Sequence, residues 1–324
     1  MRAAQLQAPR RWEIIEVDDP PPPRAGQMLV RLERVAICGS DKPPYVGVHP
    51  SYPVDPGRTG HEGLGIVEDC PDGTYEVGER VLLWGFDRGL FQEKVLANTG
   101  QYGCIRMPSD REPEIVLFSQ LLGTVIHAFY KLGNIIGQRV VVLGQGAVGQ
   151  LFDATLRNLG AEQIIAVDPL EYRLDMARRM GATHTLDPRA EDPIEAVARI
   201  TGGAMADLVV EAVGEKETFA LLPKLARRNA HAICFGVPDK QEHTGVVPLP
   251  MLEIYRKELR LIASIGPNPL EDYTIALDWI VQGRVDVRPL LSHVLPFERI
   301  QEGFAAAFDT PEESRSFKVT LTFE

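Results

Sequence analysis

Hydrophobic and polar positions change rhythm along this chain. Over the first hundred residues the pattern has a period of two. MLVRLERVAI (28–37) alternates and is rich in branched side chains, and GLGIVEDC (63–70) and ERVLLWG (79–85) are short apolar runs bounded by Gly, Asp and Pro. The proline run in DDPPPPRAGQ (18–27) makes a rigid connection that cannot donate backbone hydrogen bonds. Short strands at regular spacing predict a barrel-like β domain.

Near residue 112 the period lengthens. EPEIVLFSQLLGTVIHAFYKLG carries apolar residues at helical spacing. RVVVLG (139–144) is then continuously apolar, as in a parallel strand buried on both faces. A helix (AVGQLFDATLRNLGA), a strand (QIIAVD) and a second helix (LEYRLDMARRMGA) follow, and ADLVVEAVG, HAICFGV and LRLIASIG are further strands. This alternation predicts an α/β fold with a doubly wound parallel sheet. The tail holds a helix near 297–308 and ends on an alternating strand, FKVTLTF, which can return to the first β domain. The expected division is 1–113 with 286–324 for the β domain, and 114–285 for the α/β domain. No internal repeat is found.

The length of 324 residues exceeds one ordinary core and fits two domains. The formal net charge of −11 argues against a sequence-independent grip on nucleic acid, and equally against an anionic membrane surface. The N-terminus lacks an apolar signal core and no segment reaches the roughly 20 apolar residues of a bilayer span, so a cytoplasmic location is expected. The cysteines at 38, 70, 104 and 234 form no CxxC pair, which excludes a local cysteine-rich zinc lobe, and their wide spacing speaks against disulfides.

The first chemical motif is Gly144-Gln145-Gly146-Ala147-Val148-Gly149. It follows a buried strand, opens a helix and precedes Asp168, which closes the next strand 19 residues past Gly149. That context makes the glycine pattern specific for a dinucleotide. Gly144 permits the tight turn, Gly146 lets backbone approach a pyrophosphate, and Gly149 lets helix and strand pack closely. The helix start at Ala147 and Val148 offers free N–H groups to the anion. Asp168 can accept hydrogen bonds from the ribose hydroxyls and would repel a 2′-phosphate, favouring NAD over NADP. Arg173, five residues on, can swing to the ribose or to a phosphate.

The second motif is VAICGSD (35–41), followed 23 residues after Cys38 by His61 and Glu62 in GRTGHEGLGIV. Taken singly, Cys38 reads as a small buried side chain and His61 as a turn residue. A nucleophilic role for Cys38 needs a base and an acyl-transfer elbow that the neighbouring sequence does not supply.

CGSD, then GHEGLGIV, then VVVLGQGAVGQ with Asp168 closing the second strand, together resemble the zinc-containing medium-chain alcohol and polyol dehydrogenases along essentially the whole chain. CGSD resembles the sorbitol and threonine dehydrogenase branch in particular. The resemblance implies a GroES-like β-barrel catalytic domain interrupted by a Rossmann domain. It also implies a catalytic Zn²⁺ held by Cys38 and His61, a nicotinamide cofactor, a small-molecule alcohol or ketone substrate, and a homo-dimer or homo-tetramer. Ser40 falls where the family passes the alcohol proton through a hydroxyl, and Asp41 where a carboxylate orients the ligand histidine. Glu62 stands behind the zinc or swings in to bind it. Counting back from the His127-Ala128 pair places Gln120 at the third ligand position, where relatives have Glu or Cys. Either Gln120 ligates through its amide oxygen, or Glu62 or water takes the position. The four-cysteine structural zinc lobe of the family is absent, with only Phe86-Asp87-Arg88 standing in its place, and the histidine that extends the family's proton relay is replaced by Pro43, with His49 nearby in sequence. The reading is therefore an NAD-dependent, single-zinc dehydrogenase of a polyol, sugar or cyclitol. Its rivals are a zinc-free quinone or enoyl reductase of the same superfamily and a dinucleotide-binding relative without turnover.

Overall fold

A computed structural model describes residues 1–48, 51–85, 89–100, 104–238 and 244–323. His49 and Phe86-Asp87-Arg88 lie outside the described residues. The chain divides into two compact units, Met1–Gly123 with Asn268–Glu324, and Thr124–Pro267.

The first unit is built on a seven-stranded sheet. Its order runs Leu291–Pro296, Lys318–Thr322, Gln27–Ala36, Glu62–Asp69, Arg80–Trp84, Ile105–Met107, with Lys94–Asn98 also pairing Gln27–Ala36. The long strand Gln27–Ala36 organises it. One edge carries Glu62–Asp69 along its length. The other is shared between Lys94–Asn98 at the start and Lys318–Thr322 at the end. The last strand of the chain thus does return to the N-terminal sheet, pairing Thr320 with Ala36. Alternation in Gln27–Ala36 buries Met28, Val30, Leu32 and Val35 in a core with Trp12, Phe91, Phe297 and Phe304. A hairpin of Arg2–Ala8 and Arg11–Glu16 adds Leu6 and Trp12 to that core.

The second unit is a six-stranded sheet in which every neighbouring pair is parallel. Its order is His184–Leu186, Gln163–Val167, Arg139–Leu143, Ala206–Glu211, Ala226–Cys234, Arg260–Ala263. Numbered along this unit, that is 3-2-1-4-5-6, the doubly wound Rossmann order. The apolar runs behave as a two-faced buried sheet requires: Val140–Leu143 and Ile164–Val167 are buried without alternation. The helices Ala147–Asn158, Glu171–Met180 and Lys216–Leu225 cross between strands. The winding reverses between Arg139–Leu143 and Ala206–Glu211, and the carboxyl ends of the strands at such a switch point are where doubly wound sheets bind ligands. The glycine motif sits on it. No described helix is long and apolar enough to cross a membrane.

Candidate active site and metal centre

The strand Gln27–Ala36 runs out at Ala36, and the next residues form a tight turn, Gly39–Asp41, that hangs Cys38 at the sheet end. Asp41 fixes the turn: its Oδ2 accepts the Cys38 backbone N–H at 2.8 Å. The neighbouring strand begins at Glu62, which pairs with Ala36, so residues far apart in sequence meet where two strands share a register. Cys38, His61 and Glu62 each offer a ligand atom, and the three atoms lie within 4.8 Å of one another. Among the described residues they are the only such convergence of His, Cys, Asp or Glu side chains.

The histidine ring stands between two sets of partners. Nδ1 faces the Thr59 carbonyl at 3.3 Å and Asp41 Oδ1 at 3.6 Å. Nε2 faces Ser40 Oγ at 3.4 Å and Glu62 Oε1 at 3.9 Å. Burial opposes the imidazolium, yet Cys38 and then Asp41 outweigh it and raise the His61 pKa well above its usual value. Burial dominates at Asp41 and raises its pKa, despite the pull of His61. Glu62 goes the other way. Burial is again the largest influence, but Lys318 and His61 together lower its pKa. Glu62 Oε2 is 2.5 Å from Lys318 Nζ, whereas Oε1 is buried with no hydrogen-bond partner.

That oxygen tests the site against a metal. A buried carboxylate oxygen left without a donor is costly unless a cation completes it. A thiolate sulfur, an imidazole nitrogen and an oxygen suit Zn²⁺ in both number and softness, so the residues fit the ion.

Gln120 lies on the helix Pro113–Phe129 and is buried. Its Nε2 donates to Tyr273 Oη at 3.4 Å. The Tyr273 ring meets Trp84 edge-on at 6.3 Å, and Trp84 pairs with Glu62 across the sheet. Gln120 is thus linked to Glu62 through Tyr273 and Trp84, contacts that the sequence did not signal. Pro43 is buried in the short helix Lys42–Val46.

In the second unit the glycine motif takes its expected place. Gly144 has φ +89°, and a Cβ there would strike Val213 Cγ2 at 2.4 Å. A Cβ on Gly149 would lie 1.9 Å from the Gly144 carbonyl oxygen. Around Gly146, by contrast, a Cβ would meet nothing within 4 Å. Gly146 is the N-cap of the helix Ala147–Asn158 and no side chain caps it, leaving the N–H groups at Ala147 and Val148 for an anion. Asp168 is buried; Oδ2 accepts the Gln145 N–H at 2.8 Å and Oδ1 the Leu170 N–H at 2.9 Å. Arg173 Nη1 is 3.5 Å from Asp168 Oδ2. That guanidinium is a second donor to Oδ2, so Oδ1 is the oxygen that keeps a lone pair for a ribose hydroxyl.

Comparison with known proteins gives the family. Residues 24–109 match the alcohol dehydrogenase GroES-like domain, and residues 147–282 match the zinc-binding dehydrogenase family. The chain belongs to the zinc-type medium-chain alcohol and polyol dehydrogenases. This dehydrogenase is 27% identical over 309 residues to an L-threonine 3-dehydrogenase of Bacillus licheniformis, covering 86% of this chain and 87% of that one. It is 26% identical to an alcohol dehydrogenase of Cupriavidus necator over 95% of this chain and 94% of the relative. Its fold superposes on the alcohol dehydrogenase TADH from Thermus sp. ATN1 with a TM-score of 0.87, at 26% identity and over the whole of both chains.

Proposed function

We propose that this dehydrogenase is NAD-linked, carries a single catalytic zinc, and moves hydride between a secondary alcohol of the polyol, sugar or cyclitol class and the nicotinamide. The observation that carries the reading is the convergence of Cys38, His61 and Glu62, whose buried Oε1 has no hydrogen-bond donor. Cys38 and His61 hold the ion. The third donor is an oxygen, that of Gln120 from the helix, with Glu62 the alternative already inside the cluster. Zinc supplies Lewis acidity that lowers the pKa of an alcohol, and the nicotinamide accepts the hydride.

The chain's own groups do the rest. Ser40 Oγ takes the alcohol proton, a role supported by its 3.4 Å approach to His61 Nε2. Asp41 holds the turn that carries Cys38 and faces His61 Nδ1, fixing the ring's orientation. The helix start at Gly146 to Val148 receives the pyrophosphate, and Asp168, with Arg173 beside it, receives the ribose. The carboxylate at the end of the second strand supports NAD over NADP. The names of the relatives, L-threonine 3-dehydrogenase and alcohol dehydrogenase, support an alcohol substrate. A homo-oligomer is supported by the Arg260–Ala263 strand, which ends the parallel sheet and is flanked by exposed Met251, Leu252, Tyr255 and Ile265.

The test is a panel of polyols, sugars and cyclitols incubated with zinc-loaded protein and either NAD or NADP. Alcohol-dependent NADH formation that outpaces NADPH formation supports the proposal. Quinone reduction by protein that stays metal-free in added zinc would replace it with a zinc-free reductase.

A further inference from the structure

Lys318 is a cation in an unusual position. It opens the last strand, Lys318–Thr322, and its side chain is only 6% exposed. The pairing of Thr320 with Ala36 is antiparallel, and Ile37 N–H donates to Val319 O at 2.9 Å, so the register carries Lys318 to the level of Cys38. From there its Nζ reaches Glu62 Oε2 at 2.5 Å; the Glu62 side chain is 1% exposed. An ion pair this deep gains little net stability over apolar packing of the same volume. A contribution to stability alone therefore does not account for it. It stands at the edge of the only metal-type cluster among the described residues.

We propose that Lys318 is a positioning residue for the metal centre. It clamps Glu62 by one oxygen, turns the other towards Cys38 and His61, and cancels the carboxylate's charge, so that the ammonium sets how tightly the site keeps its zinc and how electrophilic that zinc stays. The inference rests on the metal reading above. Its force comes from the donor set: with Gln120 as a neutral oxygen donor, Cys38 and Glu62 are the negative groups against the ion, and Lys318 removes one of them from the balance. Loss of the ammonium makes the site one unit more negative. Zinc is then held more firmly and polarises an alcohol less.

The test is the rate at which zinc-loaded protein gives up zinc to an excess of a colorimetric chelator, which needs no turnover. Lys318→Met is expected to slow release about tenfold, the scale at which residues behind a ligand tune a metal site. Glu62→Gln, which strands the ammonium, is expected to speed release by a similar factor. Lys318→Arg keeps the charge and the wild-type rate. The double variant Glu62→Gln/Lys318→Met restores the charge balance and releases zinc within about threefold of wild type, and it carries the test if Lys318→Met fails to fold. Cobalt-loaded Lys318→Met should also show a changed visible spectrum. Release from a folded Lys318→Met that is as fast as wild type or faster, or a double variant as fast as Glu62→Gln, overturns the inference. A wild-type protein that takes up no zinc overturns instead the metal reading on which it rests.

Discussion

Asp168 Oδ2 accepts the backbone N–H of Gln145 at 2.8 Å, tying the end of one parallel strand to the first turn of the glycine loop that follows its neighbour. The carboxylate therefore does two jobs. It shapes the loop, and in the proposed function it also receives a ribose. Asp168→Ala removes both, and hydrogen bonds to a charged group are worth about 1.5–3 kcal/mol each. The expected outcome is a fall of about tenfold to a hundredfold in kcat/KM for NAD, with the preference for NAD over NADP relaxed. Initial rates with the two cofactors measure it. An unchanged preference would transfer the discrimination to Arg173.

Two glycines of the loop predict opposite phenotypes. Gly149→Ala drives a methyl group into the Gly144 carbonyl, 1.9 Å away, and should lower the melting temperature sharply. Gly146→Ala finds open space and should fold as wild type, yet the added methyl lies where backbone must approach the pyrophosphate. Thermal melts and titration with NADH separate the two. Loss of NADH binding with an unchanged melt is the outcome expected for Gly146→Ala alone.

These contrasts show what was legible in the sequence. The proposed dinucleotide site is local: strand, glycine turn, helix and Asp168 follow one another within one βαβ unit, so spacing alone is enough to propose them. Cys38 and His61 were legible as a motif pair, and the meeting of their strands through Ala36 and Glu62 gives the physical reason for their spacing. Lys318 has no signal of a role in the strand FKVTLTF, because its partner Glu62 lies at the other end of the chain and only the sheet order joins them. Tyr273, which holds Gln120, left no signal at all. It sits just before the helix Thr274–Val281, a segment with no polar motif, and a tyrosine there reads as ordinary core.

Gly123 supplies a further test. Replacing a mid-helix glycine with alanine usually stabilises by about 1 kcal/mol. Here the Tyr273 ring occupies the space, with Cδ1 2.4 Å from a built Cβ. Gly123→Ala should instead destabilise by about 1–3 kcal/mol, the usual penalty of overpacking. A denaturant melt reads the sign. It should also loosen zinc, because the displaced ring carries the hydroxyl that holds Gln120.

Acid stability has an identifiable contributor. Burial raises the Asp207 pKa, but Arg139 and Arg227 outweigh it and hold it at about 2. Arg139 donates from its backbone N–H at 2.8 Å and from Nε at 3.0 Å. A depressed carboxylate stabilises the fold above its unfolded pKa of about 3.9 and loses that contribution as pH falls towards 2. Asp207→Asn should cost about 1–2 kcal/mol at pH 7, a figure discounted for the partly exposed Arg227. The gap from wild type should close between about pH 4 and pH 2. Urea melts across that range check it, and a gap that persists at the acid end contradicts the assignment.

The most direct test of the metal centre is elemental analysis of purified protein after exposure to zinc and removal of the free ion, wild type beside Cys38→Ala. The account predicts about one zinc per wild-type chain and almost none in the variant. Wild-type protein without zinc, or a Cys38→Ala variant that keeps a full equivalent, would contradict it.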